Sequence, residues 1–171
     1  YALEVLAAIL DGHDAARFNK ALVREDKIAQ SVGVSYDSTA RGPGMFYLYG
    51  SPAPGRSVAE LESALRGEIR RIQETGVNPA ELRRAKAQMI ASQVYKQDSM
   101  FGQAMEIGQM EAVGLSYRDL DRLIERLQQV DAAAVQAVAR TYFVDDALTL
   151  GGRDPQALDT PPRRAAPSAR H

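Results

Sequence analysis

The sequence predicts an α+β domain: a small mixed or antiparallel sheet packed against several helices. Three observations carry that expectation. Apolar residues recur at helical spacing before residue 25 and again from Ser57 to Tyr142. Between those stretches, Ile28 to Gly50 alternates with a period of two and is broken by Arg41-Gly42-Pro43-Gly44, the pattern of a β-hairpin. The 171 residues, 45% apolar and 25% charged, suit one globular domain that buries roughly two thirds of its unfolded surface.

The elements follow in order. Tyr1 to Leu10 reads as a helix already under way, with Leu3, Leu6, Ala7 and Leu10 on one face. No charged leader precedes it, so the chain is expected to be a piece of a longer protein. Asp11-Gly12 is the expected glycine stop of that helix. Asp14 is the expected cap of a second helix running to about Arg24, with Phe18 and Leu22 inward. In the first strand Ile28, Gln30, Val32, Val34 and Tyr36 share one face, and Ala29, Ser31, Gly33 and Ser35 the other. Met45 to Gly50 is the second strand.

After the stiff loop Ser51-Pro52-Ala53-Pro54-Gly55, Ser57 with Glu60 forms a capping box. Behind it lies a buried stripe of Val58, Leu61, Leu65, Ile69 and Ile72. Gly76 closes that helix, and Asn78-Pro79-Ala80-Glu81 opens the next, which carries Leu82, Ala85 and Met89. Asp98 is the expected cap of a further helix with Phe101, Ala104, Met105 and Gly108 on its apolar side. Ser116 with Asp119 opens another, and Asp131 caps the last, which carries Val135, Val138 and Tyr142. Ala147 to Gly152 is a final strand candidate. So few strands cannot cover this many helices, so either the sheet is small or another strand belongs to it. The domain is expected over residues 1–152, with 153–171 a polar Pro/Arg-rich, disordered tail.

Charge and composition exclude several kinds of chemistry. With 21 Lys+Arg against 22 Asp+Glu there is no electrostatic footprint for nucleic acid. The longest apolar run falls well short of the ~20 residues of a membrane span. The chain has no Cys and only two His, His13 and His171, so a His-based zinc site within it is not expected. Gly42-Pro43-Gly44 lacks the Lys-Ser/Thr of a phosphate loop, and no G-x-S-x-G elbow is present. Met45, Phe46, Tyr47 and Tyr49 are explained by strand packing. One stretch stands out: Arg24-Glu25-Asp26-Lys27 feeds into a strand whose inward set includes Gln30. A buried glutamine there needs a partner. Either Gln30 is partly wet near the strand start, or Arg24 and Gln30 line a cleft.

These residues also carry a family resemblance. Ile9-Leu10-Asp11-Gly12, Arg17-Phe18, Leu22-Val23-Arg24-Glu25 and Ile28-Ala29-Gln30-Ser31-Val32 resemble the start of the C-terminal half of the M16 zinc metallopeptidases, the insulinase, pitrilysin and mitochondrial processing peptidase family. The similarity continues through Gly44–Gly50, Ser51–Gly55, Leu61–Leu65 and Gly76-Val77-Asn78-Pro79-Ala80-Glu81-Leu82-Arg83-Arg84-Ala85-Lys86. It extends weakly into the Asp98-Ser99 and Asp131–Tyr142 helices.

The resemblance implies a clamshell of two α+β halves. The N-terminal half binds Zn²⁺ through His-x-x-Glu-His, with the intervening Glu as general base, and the C-terminal half closes over an extended peptide substrate. This chain has no His-x-x-Glu-His. Active members also supply an Arg and a Tyr at fixed spacing from the C-terminal half. Aligned on Ala29-x-Ser31-Val32, Gln30 stands in the Tyr place and Val23 in the Arg place, one residue from Arg24. Counted from Arg24 instead, the spacing lands on Ser31. Neither register gives the pair, so no catalytic or metal residue is expected in this chain, and Arg24 and Gln30 remain as substrate-facing candidates.

The resemblance therefore implies a catalytically silent C-terminal domain of a zinc endopeptidase, with the zinc in the parent protein's N-terminal half. Its partners are that half, in the same protein or in a partner subunit, and an extended peptide, with no nucleic acid and no membrane span. The alternative is a non-catalytic structural or assembly subunit, or partner chain, of the same fold. A periplasmic home also follows from the resemblance alone.

Overall fold

The computed structural model describes residues 1–153. Helix α1 (Ala2–Asp11) leads through a short turn into a π-helix (Asn19–Glu25). The hairpin β1 (Ala29–Tyr36) and β2 (Phe46–Pro52) follows, and then come α2 (Val58–Thr75), α3 (Pro79–Gln97), α4 (Met100–Ala112), α5 (Leu120–Gln129) and α6 (Ala132–Tyr142). Short 3₁₀ turns precede α5 and follow α6. The predicted tail lies almost wholly outside the described residues.

Helix α1 is the centre of the core. Val5, Leu6, Ile9 and Leu10 are closed to water because α1 packs against β1, α3 and α6 together. Its last residue ties three elements: Asp11 Oδ1 accepts from Asn19 Nδ2 at 2.8 Å, and Asp11 Oδ2 accepts from Val34 N–H at 3.1 Å. That carboxylate takes an amide on the outer edge of β1 that would otherwise be open to another strand. Gly12 ends the helix where expected, in right-handed geometry (φ −68°). A side chain is excluded there by crowding, since a Cβ would sit 2.5 Å from the Ala8 carbonyl oxygen.

The second predicted helix is shorter and wider than its sequence suggested. Asp14 does not cap it, and the turn is held instead by Ala15 N–H donating to His13 Nδ1 at 3.0 Å. From Asn19 the ladder shifts to π spacing, with Asp26 N–H reaching the Ala21 carbonyl at 2.8 Å. Phe18 and Leu22 still fill the core.

The hairpin is antiparallel, with Val32↔Gly50, Val34↔Leu48 and Tyr36↔Phe46 in register. The inner face presents Val32, Val34, Tyr36, Phe46 and Leu48 to the helices. Phe46 stacks on Tyr36 at 5.6 Å and meets Phe143 edge-on at 4.9 Å. The pairing slips between Ala29↔Pro52 and Ser31↔Ser51, so Gln30 is an extra residue in a β-bulge. This corrects the strict alternation expected over 28–36: Ala29 is buried and Gln30 is exposed.

Helix α2 has both bonds of its capping box, and Leu61, Ile69 and Ile72 are buried. It is bound to α6 in both directions. Gln73 Nε2 donates to the Ala139 and Phe143 carbonyls, both at 3.0 Å, and Arg140 Nε donates to the Gln73 carbonyl at 2.6 Å. Gly76 (φ 75°) makes the left-handed turn into α3, where Asn78 and Glu81 form the second capping box and Pro79 takes the first helical position. Arg17 closes on that corner through a bidentate pair with Glu81, at 2.8 and 2.9 Å, and Gly76 O lies 3.4 Å away. Both side chains are 18% exposed. The hydrogen bond to Glu81 outweighs the desolvation and raises the Arg17 pKa.

Three further expectations are corrected. Ser99, rather than Asp98, caps α4 by accepting from Gly102 N–H at 3.1 Å. In α4 the half-buried positions are Gly102, Glu106 and Met110, so the predicted stripe of Phe101, Ala104, Met105 and Gly108 faces solvent. The helix rests on α3 through a polar contact, Gln93 Nε2 donating to Glu106 Oε1 at 2.8 Å, which sets its rotation against its own apolar face. The 3₁₀ turn Asp145–Ala147 replaces the start of the last predicted strand, and 148–153 form no strand among the described residues.

Two outcomes test this packing. Arg17→Ala leaves the Glu81 carboxylate unpaired at a partly buried corner and is expected to cost about 2 kcal/mol in urea unfolding. Glu60 is held below its ordinary pKa of 4.5 chiefly by the Ser57 backbone N–H. Its contribution is therefore present above the unfolded pKa and lost as pH falls through the folded one. Glu60→Gln should lower stability slightly at pH 7, where the carboxylate contributes, and flatten the pH dependence of stability in the acid range, as read by urea unfolding at stepped pH.

Candidate functional site

The bulge and the π-helix place the two predicted site residues. Arg24 lies in the last turn of the π-helix and Gln30 in the β1 bulge, on elements packed against each other. The chain passes between them through Lys27, a left-handed residue (φ 50°), while Ile28 N–H donates to the Leu22 carbonyl at 2.9 Å. Both side chains are exposed, and neither makes a hydrogen bond or ion pair among the described residues. They stand at one end of the hairpin, and of the two readings the wet one fits Gln30, which is exposed near the strand start. The π-helix and the bulge each add a residue to a regular element, and such insertions re-aim side chains.

The hairpin's outer face is the surface that sequence reasoning passed over. Ser31, Gly33, Ser35, Tyr47, Tyr49 and Ser51 alternate with the inner set and carry no charge. Tyr47 and Tyr49 are 52% and 58% exposed, and the Tyr47 hydroxyl lies 3.3 Å from Met45 Sδ. The Tyr49 ring lies over Gly33, where a Cβ would come within 2.3 Å of it. The period of two in β2 marks these tyrosines: Phe46 and Leu48 turn inward, so Tyr47 and Tyr49 turn out.

A cleft of about 1040 Å³ opens between α1, the end of β1, α3 and α4, lined in part by Glu4, Tyr36, Met89, Gln93, Lys96 and Glu106. Some of its polar groups engage one another, while Glu4 Oε2 is buried without a hydrogen-bond partner among the described residues. Lys96 Nζ lies 3.7 Å from Glu106, and Glu4 takes the Ser38 hydroxyl. Burial, and then the nearby Glu4 carboxylate, raise the Tyr36 phenol pKa above 10.0. Such a phenol stays protonated at neutral pH and is no base.

The residues present do not fit a zinc ion. No group of three His, Asp or Glu side chains stands at ligand spacing among the described residues, and His13 Nδ1 is already an acceptor. His171 lies outside the described residues. No helix among them is long and apolar enough to cross a membrane.

A second exposed feature is apolar. Where α3 turns into α4, Tyr95, Met100 and Phe101 are 74%, 89% and 75% exposed, with Met105 one turn further on.

Comparison with known proteins assigns this architecture. The family model described as the M16 peptidase inactive domain matches residues 1–89, the stretch from α1 into α3. The chain belongs to that family and is an inactive M16 peptidase domain. It is 29% identical over 147 residues to the uncharacterized zinc protease YmxG of Bacillus subtilis, covering 85% of this chain and 35% of that protein. A zinc protease of Rickettsia bellii, likewise uncharacterized, is 28% identical over 149 residues, covering 87% of this chain and 35% of the relative. The chain thus spans about a third of the length of these curated relatives.

In fold it is similar to the inactive peptidase domain of a protein described as a zinc protease from Bordetella parapertussis. That match has a TM-score of 0.80 at 21% identity, over 93% of this chain and 85% of that one. A protease from Helicobacter pylori matches with a TM-score of 0.77 at 16% identity, over 84% of this chain and 34% of that one.

Because Arg24 and Gln30 are exposed and unpaired, Arg24→Ala and Gln30→Ala should each shift unfolding by less than about 0.5 kcal/mol.

Proposed function

We propose that this domain is the non-catalytic half of a zinc-dependent endopeptidase and closes the peptide-binding chamber over a zinc-bearing N-terminal half. The observation that carries the reading is the inactive-domain match over residues 1–89 of this chain, together with its similarity to relatives described as zinc proteases and about three times as long. The Met/aromatic corner between α3 and α4 supports it, because exposed apolar surface of this kind is stabilised when another part of a protein covers it. The zinc, held by the other half, supplies the activated water for amide hydrolysis. This chain contributes walls: a rigid helical layer behind a hairpin, with Arg24 and Gln30 at the hairpin's end facing the extended substrate.

Two measurements test the reading. Calorimetric titration of this domain with zinc is expected to show no saturable binding, and stoichiometric tight binding would overturn the proposal. In the full-length protein, deleting this domain should leave bound zinc unchanged and reduce peptide kcat/KM at least about tenfold, as expected when substrate-positioning contacts are lost. Undiminished cleavage after the deletion would favour a structural or assembly role for the fold.

A further inference from the structure

The outer face of the β1–β2 hairpin is unusual for an exposed sheet surface. A quarter of the residues in this chain are charged. Yet the outward positions of both strands carry only Ser, Gly and Tyr, with Met45 at the margin. Exposed sheet faces ordinarily alternate apolar-in with polar-out, and charged side chains keep them from sticking to other chains. Here that protection is absent, and about half of each tyrosine is left in water. A surface built this way is stabilised by being covered.

We infer that this face binds the substrate peptide at positions away from the scissile bond and selects segments whose side chains are uncharged and aromatic or aliphatic. The inference rests on the chamber-closing reading above and names the class of peptide admitted.

Three features favour a peptide over a permanent packing partner. Tyrosines beside serines and glycine supply large contact area together with adaptable hydroxyls, the composition of surfaces that bind varied sequences reversibly. The α3–α4 corner, made of Met and aromatic side chains, has instead the makeup of a permanently covered seat. Spacing is the second feature. Tyr47 and Tyr49 are two residues apart on one face of one strand, so their Cα atoms stand about 6.8 Å apart. That matches the repeat of same-side side chains in an extended peptide, so two successive same-side residues meet two rings. The third is electrostatic. A Lys, Arg, Asp or Glu of the substrate placed on this face would lose water and find no opposite charge, which costs more than it returns.

Tyr47 and Tyr49 are thus specificity-determining residues, and Gly33 has a positioning role. With no side chain there, the Tyr49 ring lies flat across β1 rather than standing away from it.

The test uses the full-length zinc-loaded protein and two peptides with the same cleavage site. One carries Phe and Leu at alternate residues remote from that site, and the other carries Glu at those positions. The wild type is expected to prefer the first by about tenfold in kcat/KM, through KM, the size expected from two aromatic contacts. Tyr47→Ser with Tyr49→Ser should erase the preference with kcat within about twofold, and Tyr47→Lys should turn it toward the Glu peptide. Gly33→Val, which displaces the Tyr49 ring, should weaken the preference while Tyr47 remains.

Unchanged KM and preference in the serine variant, with the domain still required for cleavage, would overturn this inference and leave the chamber reading standing. Loss of cleavage in the serine variant together with a lowered melting temperature would make the face an internal packing surface and overturn the inference as well. If deleting the domain leaves cleavage intact, the chamber reading fails first.

Discussion

Helix α1 has to be dry on more than one side, and the rest of the domain is arranged to make it so. Four of its ten residues, Val5, Leu6, Ile9 and Leu10, are fully buried, each worth about 1.5–3 kcal/mol relative to exposure. One packed layer covers only a stripe of a helix. Here β1, α3 and α6 all close on α1. The hairpin, the α2–α3 corner and the C-terminal helices are therefore held in place by a common need, although they are distant in sequence.

Polar groups then set the angles that burial alone leaves free. Asp11 uses one oxygen for the π-helix and the other for the β1 edge. Arg17 reaches 64 residues along the chain to Glu81, whose carboxylate also serves the Asn78 backbone in the α3 cap. Gln73 donates to the Ala139 and Phe143 carbonyls and accepts from Arg140 Nε, which joins α2 to α6. Each of these contacts fixes a rotation or a register. Together they fix the elements behind the hairpin, while its outer face, its bulge and Arg24 stay in solvent.

The family relation and the open hairpin face bear on each other. The function proposed for this domain rests on shape and contact rather than on reacting groups. The two tyrosines, the bulged glutamine and the π-helical arginine are the exposed side chains to which those proposals assign contact. Lys96, Gln93 and Glu106, by contrast, bond among themselves and brace α4 on α3.

Much was readable in the one-dimensional pattern. The α+β class, the hairpin, both capping boxes and the buried residues Leu61, Ile69, Ile72, Ala85 and Val135 follow from local periodicity and short-range hydrogen bonding. The M16 resemblance also lay in contiguous residues. What the pattern missed depends on contacts between distant segments. The π-helix and the Gln30 bulge each absorb one extra residue, so that α1, the π-helix and β1 can all meet at Asp11. The rotation of α4 is set by Gln93 on another helix, against the apolar stripe in its own sequence. Period and capping are properties of neighbours along the chain, so the sequence by itself determined most of the elements, their order and the family. Which faces were covered and which were left open, the outward tyrosines among them, was decided only by tertiary structure, because burial is shared between segments and no single segment specifies its partner.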